Sequence, residues 1–345
     1  MSSDNLQLIP SAQTHTIDPG LTFVNYQQYL FPIDWDNSFI QTGKLHVEVG
    51  FGDGRYTAFR AGEAPDERFV GVELSGASIA RARKRLARED IHNVKLLKVT
   101  AQLALQHLFA EASLSSITVN FPDPWPKDRH EQNRLLRVPF FELAATRLVP
   151  GGEIRLATDH PDYLAQAQTE AAQTDLYDLV TRPAPEAVFA TKYALKWKAQ
   201  GKPLHYQVFT RTDTALATAL TQYYPILQRK HVMAHAVLTG SLPPDLKFSK
   251  VVTDYADGHV ILHEITRSLQ EVKLLVRATI NEPSLRQQVL VSVRQKEPQT
   301  NSEIIVALEA FGDPLITETS KGAVHATCQW LLSQSDELSI KERCY

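Results

Sequence analysis

Cysteine is scarce in this chain: Cys328 and Cys344 are the only two, far apart, with no Cys-x-x-Cys pair. That excludes a disulfide scaffold and a cysteine-rich zinc site. No uncharged apolar run reaches membrane-spanning length, and residues 1–22 carry no charged-then-apolar leader. No membrane partner is therefore expected, and the cytoplasm is the expected compartment. An excess of one charge is also missing. A net charge of −3 excludes nucleic-acid binding through bulk charge, so any such surface must be local. The histidines form no evident ligand set. His231 and His235 stand one turn apart in an expected helix without a carboxylate to complete them, and His259 and His263 share a face of an expected strand. No metal is expected.

What the chain does have is apolar residues at 43% against 22% charged, enough for a sizeable core, and 345 residues, enough for two domains. Short segments rich in Val, Ile and Leu at 45–49, 69–73, 94–99, 117–121 and 153–158 alternate with helix-compatible stretches at 56–61, 76–89, 101–112, 135–147 and 161–174. That alternation predicts α/β architecture on a parallel sheet. Pro150-Gly151-Gly152 reads as a stop before the fifth strand, and 177–181 and 206–211 read as two more strands. Residues 1–22 are expected to be mobile, and 23–213 to form the α/β domain. The region 214–245 reads as a helix over 214–238 and a linker at 241–245, near which the domain boundary is expected. The remaining 246–345 reads as a smaller α+β domain, with strands at 259–266, 272–280 and 287–293, a hairpin signal at Asp257-Gly258 and a helix at 323–332.

Two segments carry chemistry. Glu48-Val49-Gly50-Phe51-Gly52-Asp53-Gly54 follows the first strand and opens the first helix, where glycines let backbone approach a ligand. Gly71-Val72-Glu73 ends the second strand and sets another acid beside that loop, placed to accept hydrogen bonds from ribose hydroxyls. An acid just before the loop repels a pyrophosphate and attracts an ammonium group, which favours S-adenosyl-L-methionine over a dinucleotide. The second segment is Asn120-Phe121-Pro122-Asp123-Pro124-Trp125-Pro126-Lys127-Asp128-Arg129-His130, where two prolines hold Asp123 rigidly at the end of a strand. Trp125 suits stacking on a splayed base or packing of the loop. Lys127, Arg129 and Arg134 suit an RNA backbone. The basic run Arg81, Arg83, Lys84, Arg85 and Arg88 reads as a solvated helix face. Asp159 suits the same rim as Asp123, or the cap of the helix that starts at Pro161.

Together with Pro150-Gly151-Gly152 and Ala157-Thr158-Asp159, these motifs resemble the tRNA (guanine-N7)-methyltransferase family, in order from about Leu45 to Arg211. The resemblance implies a Rossmann-like seven-stranded methyltransferase sheet and methyl transfer from S-adenosyl-L-methionine to N7 of a guanosine in the tRNA variable loop. By matching position, Glu48, Gly50, Gly52, Gly54, Glu73, Thr100 and Asp123 face the cofactor, with Asp123 as the catalytic acid. Lys127, Arg129, Asp159, Thr191 and Lys192 face the tRNA. Two positions depart from the family pattern: Thr100 stands where relatives carry an Asp that holds the adenine amino group, and Ala194 stands where they carry a Glu. The region after Arg211 lies outside the resemblance and is expected to serve packing or self-association. A noncatalytic RNA-binding derivative and a nucleotide-dependent small-molecule oxidoreductase are the alternatives.

Overall fold

The computed structural model describes residues 14–125, 128–191, 194–195, 201, 203–227, 234–269, 271–296 and 303–345. The chain separates into two compact units, Thr14–Leu227 and one formed mainly by Gln228–Tyr345. This division falls earlier in the chain than the expected boundary near 241–245.

In the first unit the strands are β1 (Phe23–Val24), β2 (Leu45–Val49), β3 (Arg68–Glu73), β4 (Val94–Lys98), β5 (Leu114–Asn120), β6 (Leu148–Thr158), β7 (Tyr177–Val180) and β8 (His205–Arg211). They form one sheet in the order β1-β4-β3-β2-β5-β6-β8-β7. Neighbours from β1 to β6 are parallel, and β8 runs antiparallel to both β6 and β7. The seven expected strands are all present, and the two-residue β1 adds an eighth at the edge. Every side chain of β2 is buried, as a strand covered on both faces requires. Pro150-Gly151-Gly152 does not end a segment. It forms a bulge within β6, where Leu114 pairs with Leu148 and Ser116 with Glu153, and Gly151 takes a left-handed φ of 74°.

Helices α1 (Arg55–Glu63) and α2 (Gly76–Arg88) cover one stretch of the sheet. Ser75 caps α2 by accepting from the Ser78 N–H at 3.2 Å, and Ile79, Ala82 and Leu86 form its buried stripe. They pack with Phe51, Ala58, Ala61, Phe69, Val94 and Leu96. Gly71 is required here: a Cβ on it would come within 2.5 Å of the Phe51 ring. The helix expected over 101–112 is instead a short turn, α3 (Ala101–Leu103), running into a π-helix at Ala104–Leu108. Helices α4 (Val138–Arg147), α5 (Pro161–Ala172) and α6 (Glu186–Phe189) follow. Buried Lys95 donates to the carbonyls of Asp18, Pro19 and Leu21 at 3.2, 2.9 and 2.6 Å, tying the segment before β1 to the sheet; burial pushes its pKa down to about 8.

The second unit is an antiparallel sheet of β9 (His235–Thr239), β10 (Val251–Tyr255), β11 (Gly258–Arg267), β12 (Lys273–Asn281), β13 (Arg286–Lys296), β14 (Glu303–Leu308) and β15 (Ser339–Cys344), in the order β10-β11-β12-β13-β14-β9-β15. The helix Glu318–Leu332 packs on its apolar face, opened by a capping box between Thr317 and Ser320. The Asp257-Gly258 hairpin forms as expected, with Tyr255 paired to Gly258. Of the helix expected over 214–238, the described residues show Thr218–Tyr223; 228–233 lie outside the described residues, and 235–239 is a strand whose alternate burial matches a sheet with one covered face. Among the described residues no helix is long and apolar enough to cross a membrane.

Candidate functional site

Strand order reverses between β2 and β5, and an open α/β sheet binds ligands beyond the carboxyl ends of its strands at such a point. A cleft of about 840 Å³ lies there. Its lining brings together Glu48, Gly50, Gly52, Glu73, Thr100, Asp123 and Thr191, residues spread over much of the unit's sequence. Gly54 and Asp159 fall outside that lining. Lys127, Lys192 and the side chain of Arg129 lie outside the described residues.

The loop after β2 is shaped by three left-handed glycines, Gly50, Gly52 and Gly54, with φ of 69°, 57° and 75°. A Cβ on Gly50 or Gly52 would meet open space, so these two leave room over the backbone. Gly54 has a different duty: a Cβ there would sit 2.7 Å from that of Ala82, so its smallness sets the approach of α1 to α2. Beside the loop, the Glu73 carboxylate accepts from the N–H groups of Gly52, Leu74 and Ser75 at 3.1, 2.8 and 2.9 Å. Three backbone donors fix its orientation and still leave acceptor capacity toward hydroxyl groups.

Glu48 is buried at the end of β2, where its carboxylate accepts from the Thr57 hydroxyl and from Asn120 Nδ2, the latter at 3.1 Å. Burial pushes its pKa up to about 7 against the pull of those hydrogen bonds. Asn120 also lines the cleft, and its Oδ1 is buried with no hydrogen-bond partner among the described residues. A buried acid beside an orphaned amide oxygen suits a cationic ligand group with several N–H donors. Asn120 was visible in the proline motif, but its pairing with Glu48 was not.

Asp123 lines the same cleft and stands exposed between Phe121 and Trp125, whose φ of 51° and 42° are left-handed and strained for aromatic residues. The strain is held from behind. Arg134 is buried, not exposed as an RNA contact would be: it donates from Nε to the Pro124 carbonyl at 2.8 Å and from Nη2 to the Trp125 carbonyl at 3.4 Å. Its Nη1 reaches Gln166 at 2.6 Å and Glu131 at 2.9 Å, and the guanidinium lies 5.7 Å from the Tyr163 ring centre. Trp125 is partly exposed at the cleft rim. Thr100 caps α3, its Oγ1 accepting from the Leu103 N–H at 3.2 Å. Thr191 donates to the Val188 carbonyl at 2.8 Å and accepts from Ala194 N–H at 3.2 Å. The cap of α5 falls to His160 rather than Asp159. On α2, Arg85 is taken up by Asp53 and Glu89, and Arg88 by Glu89.

A family model described as "Putative methyltransferase" matches residues 42–207. The chain is 40% identical over 296 residues to the tRNA (guanine-N(7)-)-methyltransferase of Thermus thermophilus, covering 86% of this chain and 91% of that one. It is 36% identical over 303 residues to the enzyme of the same name from Deinococcus radiodurans, covering 87% and 92%. Against that of Thermotoga maritima it is 33% identical over 214 residues, covering 61% and 66%. The first two alignments extend well past Arg211, so likeness to these relatives reaches into the second unit.

Proposed function

Because the chain belongs to the tRNA (guanine-N(7)-)-methyltransferase family, we infer that its cleft seats the donor on the Glu48 and Glu73 side and a guanine base on the Asp123 side. The activity is methyl transfer from S-adenosyl-L-methionine to N7 of a guanosine in tRNA. The alternatives, noncatalytic RNA binding and oxidoreduction, draw no support from these relatives. The cleft fits this cofactor: Glu48 and the orphaned Oδ1 of Asn120 would take its ammonium, Glu73 its ribose hydroxyls, and the open face of Gly50 and Gly52 its body. When bound, the cofactor supplies an electrophilic methyl on a sulfonium.

Guanine N7 offers an in-plane lone pair and carries no proton, so the chain's own residues need supply no general base. Positioning is their work, and oriented approach of two bound reactants removes several kcal/mol of barrier. Asp123 accepts from the guanine N1–H and exocyclic amino group, turning N7 toward the methyl. Adenine has no matching N1–H and would leave a carboxylate unpaired. The observation that carries this reading is an exposed carboxylate on a strained, arginine-held segment that lines the same cleft as a buried acid. We extend the proposal to a guanosine in the variable loop, to a cytoplasmic setting, and to self-association through the second unit, the last tested by sedimentation of the full chain.

The deciding experiment is methyl transfer to unmodified tRNA by the wild type and Asp123→Ala, with the product mapped by cleavage at N7-methylguanosine. A fall in kcat/KM of about a hundredfold, with cofactor affinity held within about threefold, is expected from losing hydrogen bonds to a charged acceptor. Full activity of Asp123→Ala would remove the role given to this carboxylate.

A further inference from the structure

Strand β15 closes one edge of the antiparallel sheet against β9, and its register slips between Ile340, opposite Leu238, and Glu342, opposite Val237. Lys341 is the extra residue. One inserted residue reverses which face the following side chains occupy. Ile340 packs on the core, Lys341 reaches out to Glu303, and Tyr345 packs on the core again. Regular alternation from Ile340 would have turned Glu342 and Cys344 inward. The bulge turns both to the outer face, the face of His235 and Val237, since Ala236 and Leu238 belong to the core.

The consequence is a juxtaposition of three unlike donors. Cys344 lies directly across from His235, and ligand atoms of His235, Glu342 and Cys344 all fall within 4.8 Å of one another. The geometry points to a divalent-metal site of the zinc type, held by imidazole nitrogen, carboxylate oxygen and thiolate sulfur across the β9–β15 pair. Thiolate with imidazole selects zinc-like ions over magnesium or calcium, and three protein ligands leave a fourth position to water. Metal–ligand bonds of about 2.0–2.3 Å keep tetrahedral donors inside the 4.8 Å span found here, and rotation of exposed Glu342 and Cys344 can adjust their approach. His235 already has an interaction, and the second nitrogen of a metal-bound imidazole ordinarily keeps one. Binding converts the Cys344 thiol to thiolate and releases its proton to solvent; thiolate and carboxylate then balance the charge of the ion.

The full chain, stripped with chelator, is titrated with cobalt(II) and then with zinc(II). The expected result is one cobalt per chain with a near-ultraviolet thiolate-to-cobalt band, bleached by zinc. Cys344→Ser abolishes the band, and His235→Ala and Glu342→Gln each weaken binding at least about tenfold. Cys328 is buried in the core and does not substitute. Three results would overturn the site: no thiolate band, a band that survives in Cys344→Ser, or undiminished binding in both other variants. Visible absorption without the thiolate band would assign the metal to other histidines and count against it equally. Glu342 and Cys344 are exposed, so their variants keep the fold, and thermal unfolding checks His235→Ala.

Discussion

The acids at the ends of β2 and β3 are engaged by the protein, whereas the acid beyond β5 accepts no hydrogen bond among the described residues. Glu48 and Glu73 each accept protein hydrogen bonds, from Thr57 and Asn120 and from three backbone N–H groups respectively. Asp123 is exposed and, among the described residues, accepts none. On the donor side, then, the groups that would meet the ligand also fix the loop, so folding and binding are coupled there. On the side proposed for the guanine the carboxylate would be left for the substrate, and rigidity comes from behind it, through Arg134 and the two prolines. Substitutions in the first region should disturb stability and cofactor affinity together; those in the second should disturb tRNA methylation alone.

The sharpest division inside the donor side is between two glycines. Gly54→Ala places a methyl 2.7 Å from Ala82 at a φ of 75°, and combined overpacking and left-handed strain should destabilise the unit by about 3–4 kcal/mol. Gly52→Ala carries similar strain but meets open space, so it should cost about 1 kcal/mol of stability while obstructing the cofactor. Thermal unfolding and cofactor titration of both variants check the contrast. Equal stability losses would mean that Gly54 does not set helix packing.

Glu48 gives the next largest effect, through pH. Its folded pKa, raised by burial from 4.5 to about 7, means the native state holds this proton more tightly than the unfolded chain. The associated stability is fully present below pH 4.5 and is lost as pH rises through 7, on the order of 3 kcal/mol. Without cofactor, Glu48→Gln should therefore be the more stable protein at pH 8 and should flatten the slope between these pH values. Ammonium binding needs the ionised form, so wild-type cofactor affinity should rise over the same range and the Gln variant's should not. Denaturant unfolding and cofactor titration across pH read both; parallel wild-type and variant profiles would end the coupling argument.

Arg134→Met tests the opposite side. It removes the donors to the Pro124 and Trp125 carbonyls, and kcat/KM on tRNA should fall about tenfold with cofactor affinity unchanged. A matching loss of cofactor affinity would erase the distinction between the two sides.

How legible these regions were in sequence follows from how local their causes are. The parallel strands showed because burial on both faces demands continuous Val, Ile and Leu, and the glycine loop and proline segment showed because backbone conformation restricts residue type locally. Arg134 was misread as an RNA contact because a charge does not reveal whether its partners are phosphates or buried carbonyls. Strand β9 was misread as helix because its partners, β14 and β15, lie far along the chain, and five residues hold too little pattern to outweigh helix formers before them. The same distance hid the Asn120–Glu48 pair, 72 residues apart, and the meeting of His235 with Glu342 and Cys344.

The smallest expected effect concerns Thr100, where the family pattern carries an acid. Threonine caps α3 by accepting from Leu103 N–H, and aspartate caps a helix at least as well, so Thr100→Asp keeps the turn and adds a second acceptor oxygen at the cleft. Cofactor affinity should tighten about threefold to tenfold, less than the full worth of a charged hydrogen bond because the new carboxylate must shed water. Comparing S-adenosylmethionine with S-adenosylhomocysteine separates the causes, since only the former carries the sulfonium charge. Equal tightening of both means the new oxygen takes the adenine amino group; tightening of the charged ligand alone means the added acid acts through the cleft's field. Tightening of neither would mean that the adenine does not lie over Thr100, and the donor side of the cleft would have to be read in another orientation.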